Sequence, residues 1–340
     1  MRIVAAGGGT GGHLFPLLAI LEELGFRVKT DVLFFSVKGK IDDRLVRRDH
    51  PSYRIVPLKL RGLKRPIVSY ENVGRAWRYL AEYAKVRKHI RAFKPDVAVL
   101  TGGYISAVVG FAIPSSVPIF VHEQNVIPGL ANRALLRKAR KFFISFEKSM
   151  EYIPECWRWK VEVTGNPVRD LRFSKEKIEV PDGIVLVLGG SLGSEFLNSL
   201  MEKVYELDKG NFYVHSTGSR KWTERLSRFE NVLTRDFIEH MPIYWRKSKF
   251  VIARAGASTI AEMIYHRVGG ILVPWKGSAE SHQLENAKIA AERLSVEVLD
   301  EEELRPEYVV EKVKRSVYHR KSPLTNPSKK IVDSIMEEIS

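Results

Sequence analysis

His13 directly follows the segment Gly7-Gly8-Gly9-Thr10-Gly11-Gly12. Glycines at this density let a backbone approach a diphosphate closely, and a helix that begins there turns its positive dipole end toward the negative charge. Histidine is the side chain whose unperturbed pKa, near ~6.5, suits proton abstraction at neutral pH. The spacing predicts a phosphate site with a general base beside it. A plainer reading of His13 stands next to this one: it hydrogen-bonds a phosphate or braces the loop. His122 and Glu123, within His122-Glu123-Gln124-Asn125, are the next candidates for a base, with Glu123 also suited to positioning a neighbour.

Gly7 to Gly12 literally fits the G-x-G-x-x-G dinucleotide fingerprint. The nicotinamide version needs an acid at the end of the second strand to hold a ribose. Ser36-Val37-Lys38-Gly39 stands there, and Asp31 precedes the strand, so a dehydrogenase is set aside. The chain contains no D-x-D sequence. Without that carboxylate pair to bridge a metal to a diphosphate, no tightly bound cofactor and no essential divalent metal are expected. Helix N-termini and loop amides can carry the electrostatics instead.

The elements that position these residues alternate. Strands are predicted at Arg2–Ala6, Val32–Val37, Arg54–Pro57, Val97–Leu100, Pro118–Val121 and Lys141–Ser145. A second series follows at Ile184–Leu188, Phe212–His215, Val232–Thr234, Phe250–Ala253, Gly270–Val273 and Val296–Leu299. Many are short β-branched runs, as expected of strands buried on both faces, and helical spacing recurs between them. The pattern starts twice, since Ile184-Val185-Leu186-Val187-Leu188-Gly189-Gly190-Ser191 repeats the strand-to-glycine-loop opening at Arg2. An α/β protein of two Rossmann-like, doubly wound parallel-sheet domains facing a central cleft is predicted. The first domain spans 1–166, the second 167–325, and residues 326–340 form a helix that returns to the first. Thr101-Gly102-Gly103-Tyr104 and His122–Asn125 each follow a strand, where open parallel sheets bind ligands.

A length of 340 residues and a 44% hydrophobic fraction suit two folded domains. The single cysteine, Cys156, cannot form an internal disulfide, which points to a reducing compartment. No basic-then-apolar leader and no spanning run of ~20 apolar residues is read. The net charge of +15 is uneven: residues 1–160 carry 28 Lys and Arg against 13 Asp and Glu, and the remainder carries 27 of each. The densest part, Lys59 to Lys94, interleaves Arg75, Arg78 and other basic residues with Trp77, Leu80 and Tyr83. Such a stretch suits an anionic membrane surface, nucleic acid, or simply a solvated helix with an aromatic core stripe.

Six ordered signatures then carry a resemblance. Gly8–His13, His122–Asn125 continuing to Pro128–Arg133, Thr164–Arg169, Gly189–Ser194, Arg254–Glu262, and His282-Gln283 with Asn286-Ala287 are similar to motifs of the MurG family of GT-B glycosyltransferases. Together they span residues 8 to 287. The resemblance implies inverting transfer of N-acetylglucosamine from UDP-N-acetylglucosamine to lipid I, an undecaprenyl-pyrophosphoryl-N-acetylmuramyl-pentapeptide, forming lipid II. Arg169, Ser191, Ile238, Ala257, Ser258, Thr259, Ile260, Ala261, Glu262, His282 and Gln283 match donor-binding positions. Among these, Ser191 would hold the UDP phosphates, Ile238 the uracil, Glu262 the ribose and Gln283 the transferred sugar. Thr10, Gly11, Gly12 and Asn125 match positions near the sugar and acceptor. Read alone, Thr259-x-x-Glu262 is a capping box in which Glu262 merely caps its helix.

The lipid acceptor places the enzyme peripherally on the cytoplasmic face of the plasma membrane. Docking through the basic, Trp-bearing first half is expected, and nucleic acid is not. Leu192 and Ser216 stand where the family pattern has glutamine, and Ser281 where asparagine or a basic residue is common. Two other functions fit parts of the sequence: another GT-B enzyme, such as a UDP-N-acetylglucosamine epimerase or a glycolipid synthase, and a nonenzymatic basic protein that binds RNA or anionic lipid.

Overall fold

The computed structural model describes residues 1–62, 70–170, 172, 179–238, 240–277, 282–319 and 323–339, without the side chains of 70–76. The side chain of Arg75 and the whole of Ser281 lie outside the described residues. The chain divides into two compact units, Met1–Pro167 with Pro327–Ser340, and Val168–Asn326.

The first unit is a 7-stranded parallel sheet in the order β3-β2-β1-β4-β5-β6-β7. Its strands are β1 (Arg2–Ala6), β2 (Asp31–Val37), β3 (Arg54–Leu58), β4 (Val97–Leu100), β5 (Ile119–Glu123), β6 (Lys141–Ile144) and β7 (Val161–Val163). Helices α1 (Gly11–Arg27), α2 (Ile41–Asp49), α3 (Tyr70–Phe93), α4 (Gly103–Ala112) and α5 (Leu130–Leu135) connect them. The central strands are apolar because helices cover both faces: Ile3, Val4, Ala5, Ala6, Val97 and Ala98 have no exposed surface. β7, a three-residue edge strand of Val-Glu-Val, is absent from the predicted set; it is partly exposed and too short to show a period.

The second unit is a 6-stranded parallel sheet in the order β10-β9-β8-β11-β12-β13. Its strands are β8 (Ile184–Leu188), β9 (Tyr213–Ser216), β10 (Val232–Arg235), β11 (Ser248–Ala253), β12 (Gly270–Leu272) and β13 (Val296–Val298). Its helices are α6 (Glu195–Leu207), α7 (Arg220–Leu226), α8 (Met241–Lys247), α9 (Ala257–His266), α10 (His282–Arg293) and α11 (Pro306–Arg315). Val185, Val187, Met201, Val204, Tyr205 and Tyr213 anchor a core on one face of this sheet.

After the second unit, α12 (Pro327–Ile339) belongs to the first. It packs on α1. Its buried stripe is Ile331, Val332 and Ile335. Polar ties flank the stripe: Arg27 pairs with Asp333, Arg140 Nε meets Glu338 at 2.6 Å, and Lys330 Nζ donates to the Val163 carbonyl at 2.7 Å.

Candidate functional site

Both sheets reverse their direction of growth after three strands, on the far side of the first, between β1 and β4 in one unit and between β8 and β11 in the other. At such a switch point the connections leave on opposite faces and open a crevice beyond the carboxyl ends of the strands. Gly7–Gly12 leaves β1 and Thr101–Tyr104 leaves β4. Gly189–Ser194 leaves β8 and Arg254–Gly256 leaves β11. The signature segments therefore lie where a doubly wound sheet binds ligands.

In the first unit, Thr10 is the N-cap of α1, and its side chain makes no capping bond. Gly11, Gly12 and His13 form the first turn. Thr101 Oγ1 donates to the His13 carbonyl at 2.7 Å. The ring of His13 is partly exposed, and its Nδ1 lies 3.0 Å from the Thr101 carbonyl and 2.9 Å from Gln124 Oε1. Both partners are acceptors, so Nδ1 carries a hydrogen, and in the neutral ring Nε2 keeps its lone pair. The glycine loop is held by buried Asp42, which accepts from the Val37 amide at 2.6 Å and the Gly9 amide at 3.3 Å. Burial raises the Asp42 carboxyl pKa, and those backbone bonds oppose the rise. Asp42 was not among the residues the sequence singled out; its position after Gly39, at the start of α2, was the available signal.

The two alternative bases are placed for other work. His122 is buried and donates from Nε2 to the Gly165 carbonyl at 3.0 Å. Burial pushes its pKa down to about 4, against the effect of that bond. Glu123 is buried as well. Its Oε1 accepts from the Asn125 amide (2.9 Å) and Asn125 Nδ2 (3.2 Å), and its Oε2 from the Gly129 amide (2.9 Å) and Asn132 Nδ2 (2.8 Å). Four donors fill the carboxylate, which folds the loop that carries Asn125.

In the second unit, Gly193 (φ +76) and Gly218 (φ +71) face one another. A Cβ on Gly193 would sit 2.2 Å from the Thr217 carbonyl oxygen, and one on Gly218 would sit 2.2 Å from Gly193 Cα. Only glycine fits this approach, which sets the path of the Ser191 loop. Arg254 braces the same loop from inside: Nε donates to Ser194 Oγ at 3.0 Å, Nη1 to the Val273 carbonyl at 3.3 Å, and Nη2 to Glu301. One guanidinium thus joins the segments after β8, β11 and β12. Leu192, on the same loop, is 86% exposed. Ser216 is buried at the end of β9.

α9 begins at Ala257 behind the N-cap Gly256. Thr259 is therefore its third residue, and Glu262 lies in the second turn. The capping-box reading of Thr259 and Glu262 is corrected: the helix starts before Thr259. Ser258, Thr259 and Glu262 are partly exposed, whereas Ala257, Ile260 and Ala261 are buried. Although part of Glu262 reaches solvent, the packing around its carboxyl desolvates that group and pushes it up to about 8, opposed by the Trp245 indole and by the charge of Arg169. The Trp245 N–H lies near the carboxyl without a partner at full hydrogen-bonding geometry. Ile238 is buried at 4% exposure. His282 and Gln283 open α10, and Gln283 Oε1 accepts from the Trp275 amide at 2.9 Å.

On the first unit, Trp77 is 78% and Leu80 59% exposed, and Arg78 is exposed beside them. Tyr83 differs from its predicted place on this face: its ring packs against the core, and its hydroxyl donates to the Phe111 carbonyl at 3.4 Å. Phe111, 47% exposed, is an apolar residue that the sequence did not single out. Lys138 lies over its ring and caps the end of α4 through the Gly110 and Ile113 carbonyls. No helix among the described residues is long and apolar enough to cross a membrane.

Comparison with known proteins agrees with this architecture. Residues 3–144 match the glycosyltransferase family 28 N-terminal domain, and residues 184–339 match the family 28 C-terminal domain. The chain is 52% identical over 343 residues to the UDP-N-acetylglucosamine–N-acetylmuramyl-(pentapeptide) pyrophosphoryl-undecaprenol N-acetylglucosamine transferase of Thermotoga neapolitana, covering 100% of this chain and 99% of the relative. It is 30% identical to the Bacillus subtilis protein of the same name, covering 95% and 92%. Among solved structures, MurG of Acinetobacter baumannii matches with a TM-score of 0.67 at 22% identity over 99% of each chain. The UDP-GlcNAc 2-epimerase of Neisseria meningitidis matches at 0.64 with 14% identity, over 99% and 100%, a likeness of fold. With paired GT-B domains and homology along its whole length, the chain belongs to glycosyltransferase family 28, among the MurG transferases.

Proposed function

We propose that this protein transfers N-acetylglucosamine from UDP-N-acetylglucosamine to lipid I, with inversion, and so forms lipid II. The observation that carries the reading is the 52% identity over the whole chain to a transferase named for these substrates. His13 Nε2 takes the proton of the acceptor hydroxyl. The hydroxyl oxygen bonds to the anomeric carbon as the bond from that carbon to UDP breaks. The departing diphosphate gains negative charge, which the N-terminal end of α9 and the Ser191 loop stabilise. Glu262 accepts from the ribose hydroxyls, Gln283 meets the sugar, and Arg169 and Ile238 complete the nucleotide site. Thr10, Gly11, Gly12 and Asn125 line the acceptor side. The test is transfer of labelled N-acetylglucosamine to a short-chain lipid I analogue. Conversion of UDP-N-acetylglucosamine without any acceptor would instead identify an epimerase.

Two measurements check parts of this site. Glu262→Ala is expected to weaken UDP binding roughly 10–100-fold, the worth of hydrogen bonds to a charged group. A carboxyl that titrates near 8 in the free protein and binds as a carboxylate releases a proton on binding. UDP affinity should therefore rise with pH up to about 8, and Glu262→Gln should flatten that rise. Calorimetric titration at several pH values reads both, and an unchanged affinity removes Glu262 from the ribose site.

The membrane face is Trp77, Leu80 and Phe111 amid the described basic residues of α3, Arg78 among them. It docks the enzyme on the anionic cytoplasmic leaflet. Trp77→Ser should lower binding to anionic liposomes roughly tenfold, and high salt should weaken it further. Salt-insensitive binding that survives the substitution would place the contact elsewhere.

A further inference from the structure

Four groups in the first unit form a continuous hydrogen-bonded line: His13, Gln124, His122 and the Gly165 carbonyl. Its direction is fixed at one point. Gln124 Nε2 lies 3.0 Å from the His122 carbonyl, which can only accept, so this end of the amide is the NH2. The same NH2 meets His122 Nδ1 at 3.1 Å, which makes Nδ1 the acceptor. His122 then carries its hydrogen on Nε2, the atom that donates to Gly165. At the other end Gln124 Oε1 faces His13 Nδ1 at 2.9 Å and requires a hydrogen there. Every link agrees with every other, and reversing any one would set two donors or two acceptors against each other.

We propose that Gln124 is a positioning residue, whose amide, oriented by the neutral His122, holds His13 in its Nδ1–H tautomer and aims the Nε2 lone pair at the acceptor hydroxyl. The Thr101 carbonyl shares the His13 Nδ1–H, so it contributes to the tautomer, and Gln124 supplies the second point that fixes the ring plane. His122 serves the role only while uncharged. An imidazolium would carry a hydrogen on Nδ1 and repel the Gln124 NH2. Burial secures that neutrality. The catalytic half of the inference rests on His13 being the base; the tautomer half does not.

The experiment therefore reads the two separately. Long-range proton–nitrogen spectra of the ligand-free, imidazole-labelled protein should show His13 protonated on Nδ1 and His122 on Nε2. The opposite tautomer at either ring overturns the line, whatever the activity. Gln124→Met, similar in size but unable to hydrogen-bond, should lower kcat roughly 10–100-fold, as for a base displaced by up to an ångström, with KM for UDP-N-acetylglucosamine unchanged. Gln124→Glu keeps the acceptor for His13. A carboxylate at Nδ1–H favours the imidazolium, so the acid limb of the kcat profile should move to higher pH, with activity recovering on the alkaline side. A purely structural glutamine would change melting temperature in both variants and leave the pH profile in place, which would overturn the proposal. If the spectra show these tautomers but His13→Ala keeps full kcat, the catalytic half fails and the tautomer line stands.

Discussion

His13→Ala should lower kcat for sugar transfer by about 10²–10⁴-fold, the range a positioned general base contributes. KM for UDP-N-acetylglucosamine should change little, because the donor-matching residues lie in the other unit, at Arg169, on the loops after β8 and β10, in α9 and at the start of α10. The expectation rests on geometry. The ring is tied by Nδ1 to two acceptors on separate elements, its own backbone carbonyl is bound by Thr101, and Nε2 has no partner among the described residues. A ring held at one nitrogen presents the other. Steady-state kinetics with a lipid I analogue checks this. A variant with raised acceptor KM and normal kcat would show that His13 binds the acceptor's diphosphate, the plainer role that the sequence also allowed.

Glu123→Ala should cause the largest loss of stability. Removing the carboxylate leaves the amides of Asn125 and Gly129 and the NH2 groups of Asn125 and Asn132 without their acceptor. An amide left unsatisfied costs ~1–3 kcal/mol when fully buried, and these two backbone amides are part-buried, so together they give at most about 2–6 kcal/mol. For a unit of this size that is a drop on the order of 5–20 °C in the melting transition. Calorimetry, which separates the transitions of the two units where they melt apart, is the measurement. Activity should fall with stability, since Asn125 and Gln124 ride on the same loop. A variant that melts normally but cannot transfer sugar would return Glu123 to the chemistry.

Much of the scaffold was legible because parallel strands covered on both faces leave unbroken apolar runs, as at Ile184–Leu188. The twelve predicted strands are all present within a residue or two. β7 escaped because three half-exposed residues at an edge carry neither a run nor an alternation. The start of α9 was misplaced for a different reason: Thr259-x-x-Glu262 satisfies a local rule, yet the turn at Gly256 already opens the helix. The phosphate loops could be found from their glycines, since close backbone approach demands that residue type. The contacts that support them could not. Asp42, Arg254 and Gln124 act on partners 33, 60 and 111 positions away, and no spacing rule reaches so far. Tyr83 shows the limit for amphipathic helices: interleaved aromatics reveal a stripe, and only packing tells which members face the core.

The dependence of the first unit on α12 has a consequence for synthesis. Its sheet and α1 emerge from the ribosome early, but the helix that covers part of α1 is encoded after the whole of 168–326. At ~5–20 residues per second the nascent unit waits on the order of 10–30 s with that apolar groove uncovered. The second unit is synthesised during that interval, while the first still lacks its covering helix. Fragments that stop before Pro327 should therefore engage chaperones and aggregate more readily than the full chain, even though every strand of both sheets has already been made.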